Sequence, residues 1–144
     1  MDKEETMTKE QQQMMEYFKK DRFAASIGIK LIEVGSGYAL AKLEICDNHL
    51  NAIDSVQGGV TFTLADFAFG VASNSYGQVA VGINVSITYF RPPKGKVLIA
   101  EAKEIYANSK LASYNVDVFD DNKDVIVANF IGMVYRKKDQ HNFE

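Results

Sequence analysis

One acidic residue, Asp66, stands in the apolar stretch GVTFTLADFAFGVAS at residues 59–73. A carboxylate that is partly shielded from water has a raised pKa and can act as a base or a nucleophile. Gln57, Gly58 and Gly59 come at the start of this stretch. If a helix begins there, its first N–H groups lack partners, and glycines allow a ligand close to them. Such groups can hold the oxyanion that forms when a carbonyl is attacked, although a glycine pair can also simply shape a turn.

Residues 57–75 are predicted to form one long helix, because the run exceeds an ordinary strand and contains many good helix formers. Apolar residues surround most of its circumference, which indicates a buried helix. One narrow stripe differs, and in ideal helix geometry its members fall within about 40° of one line. This stripe of small or polar residues comprises Gly59, Thr63, Asp66, Gly70 and Ser73.

Two interpretations of the stripe are open: it is either the solvent face of the helix or the lining of a pocket. It lacks the Lys, Glu, Gln and Arg of an ordinary exposed face, which favours the pocket. Within one helix, Gly58 and Asp66 are about 12 Å apart along the axis, too far to act on one carbonyl. Two antiparallel helices related by a two-fold axis would bring Gly58 of one chain to Asp66 of the other. The spacing therefore predicts a site built from two subunits.

The remaining segments predict the elements around this helix. Residues 8–20 are amphipathic, with Thr8 as N-cap and Gln11 three positions later, which is typical of a short helix. Period-two alternation on both sides of residues 35–37 predicts a β-hairpin, and four β-rich segments follow Gly77. We therefore predict an α+β domain, in which a curved antiparallel sheet of about six strands wraps around one long central helix. This architecture is the hotdog fold, and dimerisation commonly closes its open side.

The composition limits the classes of function. The 144 residues suit a single domain, residues 1–144, and we expect residues 1–7 and 138–144 to be flexible because they are polar. The formal net charge of −3 argues against nucleic acid binding, and no apolar stretch is long enough to span a membrane. One cysteine excludes an internal disulfide and fits a reducing cytoplasm. Two histidines and one cysteine argue against a metal site for zinc.

Several segments in the last two-thirds of the chain share one pattern. Asn51 is followed six positions later by Gln57-Gly58-Gly59, then by FTLADFAF with Asp66 and by NSYG. The segments ITYFRPPKGKVLIAEA and VANFIGMVYR come farther along. In residues and spacing, this pattern resembles the PaaI-type hotdog thioesterases, a branch of the 4-hydroxybenzoyl-CoA thioesterase superfamily.

The resemblance implies hydrolysis of an acyl-CoA thioester to a free acid and CoA, with no cofactor besides the CoA of the substrate. By analogy, Asp66 activates water or attacks the thioester carbon itself. The Gly58 amide would hold the thioester oxygen, and Asn51 would position the water or the thioester. Gly59 and Thr63, on the helix stripe, are expected to line the substrate site. Family members form homodimers that often pair into homotetramers, with sites at the subunit interface.

Four residues bear on the charge and proton transfer that the resemblance leaves open. Arg91 and Lys94 flank the Pro-Pro turn and are expected to meet the CoA phosphates, although basic residues at turns also keep strand ends soluble. Gln57 replaces the histidine that the family usually has before the two glycines, and Gln cannot titrate. His49, in the preceding loop, could be proposed as a replacement, but we predict an ordinary surface histidine.

Three functions compete at this level. The first is an acyl-CoA thioesterase. The second is a protein that binds or senses an acyl-CoA without cleaving it, which Gln57 in place of the usual histidine suggests. The third is a dehydratase of β-hydroxyacyl thioesters, but that reaction needs a histidine paired with a carboxylate, and the sequence shows none in a suitable place. Aromatic, short-chain and medium-chain acyl groups all remain open.

Overall fold

A computed structural model describes residues 7–144, which contain three α-helices and six β-strands. The helices are α1 (Lys9–Phe18), α2 (Arg22–Ser26) and α3 (Gly58–Asn74). The strands are β1 (Ile29–Gly35), β2 (Tyr38–Glu44), β3 (Gln78–Tyr89), β4 (Val97–Ala107), β5 (Leu111–Phe119) and β6 (Ile126–Gln140). Two short 3-10 helices, Asp47–His49 and Asp121–Lys123, lie in the connections.

The six strands form one antiparallel sheet in the order β1-β2-β4-β5-β6-β3, with β1 and β3 at its edges. The sheet curves around α3, and the core lies between the two. Apolar residues of α3 and of the strands fill this core, including Leu43, Leu64, Phe69, Val71, Leu98, Val116 and Phe130. The predicted hotdog fold, with one long central helix inside a six-stranded sheet, is confirmed.

Strand β5 shows the alternate burial of side chains that the period-two pattern predicts. Its buried positions alternate with half-buried ones along all nine residues, because one face packs towards α3. The inward set comprises Ala112, Tyr114, Val116 and Val118, whereas Asn115 and Asp117 lie on the opposite face. Alternating faces of this kind are what a strand with one buried side requires.

The N-terminal helix forms as predicted, and a second short helix follows it. The Thr8 side chain accepts a hydrogen bond from the N–H of Gln11, and the Gln11 side chain accepts one from the N–H of Thr8, so the capping box is complete. Helix α2 was not predicted, because five residues are too few to show a helical period. Its N-cap is Asp21, whose carboxylate accepts from the N–H of Ala24. Both helices pack against β1, and α2 also contacts α3.

The β1–β2 hairpin turns where the glycines predicted it. Gly37 has a φ of 68°, in the left-handed region that glycine adopts without strain. A Cβ at this position would lie 2.7 Å from the Tyr76 hydroxyl and 2.9 Å from a carboxylate oxygen of Glu104. Both the backbone conformation and the close approach therefore require glycine.

The C-terminal segment differs from the expected flexible tail at residues 138–144. Strand β6 extends to Gln140, and His141 then reaches back over α3. Its Nε2 lies 2.6 Å from Oδ1 of Asn74, and its Nδ1 lies 2.8 Å from the Tyr17 hydroxyl. The Phe143 ring stacks on the His141 ring. These contacts join distant parts of the chain, so the polar composition of the tail did not indicate them. The first six residues of the expected flexible N-terminus, 1–6, lie outside the described residues.

Within residues 7–144, no helix combines the length and the hydropathy needed to cross a membrane.

Candidate active site

The start of α3 leaves one backbone donor available beside the glycines. Gln57 is the N-cap, and its side-chain Oε1 accepts a hydrogen bond of 2.6 Å from the N–H of Gly59. Gly58 is the first helical residue, so its N–H has no acceptor within the helix. It also lies at the positive end of the helix dipole. The N–H of Gly58 is therefore the group that a ligand oxygen can meet.

A tyrosine from the edge strand holds this first peptide in place. The Tyr89 hydroxyl donates a hydrogen bond of 3.0 Å to the carbonyl oxygen of Gly58. Its ring lies so close that a Cβ at Gly58 would be 3.4 Å from it, which is ordinary van der Waals contact. Tyr89 was not among the predicted site residues, because the contact joins residues 31 positions apart and no local motif marks it.

Asp66 lies two turns farther along α3, on a face that the sheet leaves open. Its side chain is exposed and borders a groove of about 320 Å³, together with Phe18, Asp21, Phe67 and Gly70, among others. Desolvation by the surrounding groups raises the pKa of Asp66 above its ordinary value, and the negative charge of Asp21 raises it further. In one chain, therefore, Asp66 keeps access to solvent and is nevertheless harder to ionise than a free aspartate.

The other members of the helix stripe serve mainly the helix itself. The Thr63 hydroxyl donates a 2.7 Å hydrogen bond to the carbonyl of Gly59, and the Ser73 hydroxyl donates a 3.1 Å bond to the carbonyl of Gly70. Ser73 is buried, so the open part of the stripe ends before it. At Gly70 itself, a Cβ would meet nothing within 4 Å. The open surface thus runs from Gly59 past Asp66 to Gly70.

Asn51 organises the loop that precedes α3. Its Oδ1 accepts hydrogen bonds from the N–H groups of Ile53 at 3.0 Å and Ser55 at 3.1 Å. Its backbone N–H donates to the carbonyl of Ser55 at 2.7 Å, which closes the loop. Among residues 7–144, its Nδ2 has no hydrogen-bond partner. The amide oxygen is thus committed to loop structure, and Nδ2 is the donor that could meet a substrate.

The turn that carries Arg91 and Lys94 is built around two carboxylates. Asp120 accepts hydrogen bonds from the backbone N–H groups of Lys94 at 2.7 Å and Gly95 at 2.9 Å. Asp121 accepts from the N–H of Val97 at 2.8 Å. The backbone donors of this turn are therefore occupied by the chain itself, and only the side chains of Arg91 and Lys94 remain for the predicted contact with phosphates.

We expect Asp120→Asn to lower the free energy of unfolding at neutral pH by about 1–3 kcal/mol, the cost of weakening a buried, charge-assisted set of hydrogen bonds. Asp120 is 8% exposed, and its burial alone would raise its pKa. Backbone N–H groups of Lys94, Asp121 and Gly95, with the charge of Arg91, outweigh that effect and lower the pKa. Urea unfolding near neutral pH measures the loss of stability.

The loss of stability in Asp120→Asn should become smaller as the pH falls. A lowered pKa in the folded state stabilises above the unfolded-state value of 3.8, and the stabilisation disappears as the pH falls through the folded-state value. The difference between wild type and Asp120→Asn should therefore shrink in acid. Asp124→Asn, an exposed change in the same loop, is the matched control and should leave unfolding unchanged. An equally small effect of both substitutions would show that Asp120 does not hold the turn.

His49 is not the surface residue that the sequence suggested. It is 4% exposed, since the loop folds back beneath α2. Its Nδ1 accepts from the N–H of Cys46 at 3.0 Å, so Nε2 carries the proton and donates to the carbonyl of Ile27 at 2.7 Å. Both ring nitrogens serve the fold, and His49 cannot replace the histidine whose position Gln57 takes. Within the part of the chain that the structure describes, no three His, Cys, Asp or Glu side chains gather as a metal site would require.

The predicted site residues therefore fall into separate places on one chain. Gln57, Gly58, Gly59 and Thr63 lie on the first turns of α3, with Asn51 in the loop before it. Asp66 lies about 12 Å from Gly58 along the helix axis. Arg91 and Lys94 lie in the turn after β3, beside Asp120, Asp121 and Asp124. One chain does not bring the carboxylate and the Gly58 amide to a common point.

Comparisons with known proteins identify the family. The Thioesterase superfamily model matches residues 55–127, more than half of the chain. A putative esterase of Archaeoglobus fulgidus is 38% identical over 120 residues, which are 83% of this chain and 77% of that protein. The acyl-coenzyme A thioesterase PaaI of Escherichia coli is 31% identical over 120 residues, which are 83% of this chain and 85% of that protein. The solved structure of the E. coli PaaI protein superposes with a TM-score of 0.84 and 28% identity, and the match covers 90% of this chain and 94% of that chain.

A hotdog domain with these relatives is an enzyme of the class that hydrolyses thioesters. The chain belongs to the thioesterase superfamily, and within it to the PaaI-type hotdog thioesterases. The expected family resemblance is thereby confirmed.

Proposed function

We propose that this protein hydrolyses an acyl-CoA thioester to a free acid and CoA, at a site that two copies of the chain complete. The observation that carries the proposal is Asp66, a carboxylate with a raised pKa on the open face of the central helix. The E. coli relative, which is named an acyl-coenzyme A thioesterase, supports CoA as the carrier of the acyl group.

The need for a second copy follows from the open surfaces of one chain. Edge strand β3 is 12 residues long and exposes apolar side chains that include Val81, Ile83 and Val85. An unpaired apolar edge of this length is a template for another strand. Pairing of β3 with its copy across a two-fold axis would continue the sheet and set the two α3 helices side by side in opposite directions. Asp66 of one chain would then face Gly58 of the partner subunit.

The chemistry needs only these groups. Asp66 takes a proton from water as the water oxygen bonds to the thioester carbon, while the N–H of Gly58 stabilises the oxyanion. The oxyanion collapses, the C–S bond breaks, and the departing CoA thiolate takes up the proton. In the alternative course, Asp66 attacks the carbon itself, the C–S bond breaks and CoA leaves as a thiolate. Water then hydrolyses the resulting anhydride, which regenerates Asp66 and gives the free acid, and the proton released goes to the thiolate. Both courses need no cofactor beyond the CoA of the substrate.

Gln57 fits this scheme as a structural rather than a titrating group. Its Oε1 accepts from the N–H of Gly59, so the N–H of Gly58 remains for the proposed role of oxyanion donor. A side chain that caps the helix in this way needs no charge. The replacement of the usual histidine by Gln57 is therefore compatible with turnover.

Two further features support the assembly and the substrate. The exposed side chains of Arg91 and Lys94 carry positive charge near the end of β3, where the phosphates of a CoA bound at the subunit interface could reach them. The outer face of β6 exposes Ile131, Met133 and Tyr135, an apolar surface on which two dimers could pair into a homotetramer.

A panel of acyl-CoA substrates with a free-thiol readout tests the proposed function. We expect thiol release with turnover that saturates, and a dimer or tetramer by light scattering. Tight binding of acyl-CoA without thiol release at any chain length would instead favour the alternative, a protein that binds or senses acyl-CoA. The absence of both binding and release would contradict each of these functions.

A further inference from the structure

A second cavity lies beneath the two N-terminal helices, outside the site described so far. It measures about 510 Å³, which falls within the ~300–1,000 Å³ range of small-molecule sites. Its floor is β1 and the side of α3, and its cover is α1 and α2. The apolar side chains that line it include Met15, Phe18, Ala24, Ala25, Leu31 and Phe67.

This cavity lies next to the groove that contains Asp66. Three residues, Phe18, Asp21 and Phe67, line both spaces. Phe67 follows Asp66 directly on α3, and its side chain is 8% exposed at the junction. Only these shared side chains stand between the Asp66 groove and the cavity beneath α1 and α2, so an acyl group at the Asp66 carboxylate would reach the cavity by displacing them.

The charges at the junction limit what can enter. Asp21 lines both spaces, and its negative charge adds to the desolvation that raises the pKa of Asp66. A second carboxylate on the entering group would meet two negative charges, which disfavours it. Lys19 and Lys30 also border the cavity, and both are exposed. The lining between these charged residues is mostly apolar, so the cavity suits an extended uncharged group.

We infer that the cavity beneath α1 and α2 is the acyl subsite, and that it selects uncharged medium-chain acyl groups over short and carboxylated ones. This inference rests on the proposed function, because it places the acyl chain on the far side of Asp66 from CoA. The α1–α2 segment then determines substrate length. An acetyl group would end at Asp66 and leave the apolar lining in contact with water.

The size of the expected preference follows from the hydrophobic effect. Burial of one methylene group contributes about fourfold to a specificity constant at most. Four additional methylenes separate octanoyl-CoA from butyryl-CoA, and the cavity is open along one side. We therefore expect kcat/KM to be about tenfold or more higher for octanoyl-CoA than for butyryl-CoA. Succinyl-CoA should be a poorer substrate than butyryl-CoA.

Substitution of Ala25 by Leu tests the location of the subsite. Ala25 is exposed and lines the cavity, so the larger side chain can enter the space without disturbing the core. The ratio of kcat/KM for octanoyl-CoA to that for butyryl-CoA should fall by about tenfold. Ser26→Leu is the matched control, because Ser26 is also exposed on α2 but does not line this cavity. Its ratio should equal that of wild type.

A second variant, Met15→Ala, should shift the preference towards longer acyl chains, opposite to the effect of Ala25→Leu. Met15→Ala removes a half-buried side chain from the lining and lengthens the space, so the preferred chain should become longer. Binding of octanoyl-CoA to Asp66→Asn, measured by calorimetry, adds a readout that does not depend on turnover. The affinity should be lower when Ala25→Leu is combined with it.

The outcomes separate failure of this inference from failure of the proposed function. No thiol release from any acyl-CoA would overturn the proposed function. Release with no dependence on chain length, or with a ratio that Ala25→Leu and Ser26→Leu change equally, would overturn the acyl subsite alone. A ratio that falls only in Ala25→Leu, together with weaker octanoyl-CoA binding, supports the inference.

Discussion

Substitution of Asp66 by Asn should lower kcat for acyl-CoA hydrolysis by about a hundredfold to ten-thousandfold, the range of a general acid or base. Asn has the same shape but can neither take the proton of water nor attack the thioester carbon. The KM should change little, because the carboxylate acts on the reacting atoms and contributes little to binding of CoA. Steady-state assays with free-thiol detection measure both constants.

Asp139→Asn is the control for this substitution. Asp139 is an exposed aspartate near the end of β6 that does not line the groove containing Asp66. The same chemical change there should leave kcat within about twofold of wild type, as expected for a surface substitution. If Asp66→Asn also retained turnover at that level, Asp66 could be neither base nor nucleophile, and the catalytic proposal would be wrong.

Asp66→Asn should also have a higher free energy of unfolding than wild type at neutral pH. A group whose folded-state pKa is raised binds its proton more tightly in the folded state, so ionisation above that pKa costs stability. Below the unfolded-state value of 3.8 both states are protonated, and the cost is absent. The advantage of Asp66→Asn should therefore be small near pH 3 and grow as the pH rises through the raised pKa of Asp66. Thermal unfolding at a series of pH values measures this difference.

The second large effect is expected when the oxyanion donor is removed at Gly58. Proline is favoured at the first helical position and has no N–H, so Gly58→Pro deletes the donor while the helix can still begin there. Gln57, before it, has a φ of −64° and a ψ of 134°, a conformation that a residue preceding proline adopts readily. Loss of one oxyanion donor typically lowers kcat by about a hundredfold to a thousandfold.

Gly58→Ala is the matched control, because it adds a Cβ at the same place and keeps the N–H. That Cβ would lie 3.4 Å from the Tyr89 ring, in ordinary contact. The ratio of kcat between the alanine and proline variants therefore isolates the contribution of the N–H. A ratio close to one would show that this amide does not stabilise the oxyanion.

Mixing the two inactive variants tests whether the site spans two chains. In a heterodimer of Asp66→Asn and Gly58→Pro, one site contains both substitutions and the other contains neither. Random reassembly makes about half of all dimers mixed, so about a quarter of the wild-type activity should return. Mixtures that remain as inactive as the separate proteins, although subunit exchange is demonstrated, would place both groups in one chain and contradict the proposed dimer.

Much of this architecture could be predicted from local sequence patterns. The capping box of Thr8 and Gln11 and the glycines of the β1–β2 turn act through neighbours in sequence, so each was visible without the fold. Helix α3 was recognised from its length and composition, and its bounds agree with the prediction within a residue or two. The spacing between Gly58 and Asp66 is a property of the helix alone, and it already predicted a site built from two chains.

Contacts between distant segments were beyond those patterns. Tyr89 reaches Gly58 across 31 positions, and Asp120 reaches the turn at Lys94 across 26. The burial of His49 depends on Ile27, in a segment whose short helix was not predicted. Hydrophobic periodicity does not predict such pairs, because it depends only on residues that are close in sequence. Each of these residues would fit its own strand, loop or turn equally well with a different distant partner.

The sequence by itself determined the hotdog fold, the lone carboxylate and the glycine-led helix, because helical and strand periods express which faces must be buried. Only the tertiary structure decided the surroundings of these groups: the tyrosine against Gly58, the carboxylates that occupy the turn of Arg91 and Lys94, and the cavity beneath α1 and α2. The surroundings depend on how curved elements pack in three dimensions. The pKa of Asp66 belongs to this second group, since desolvation is a property of packed neighbours and not of the residue.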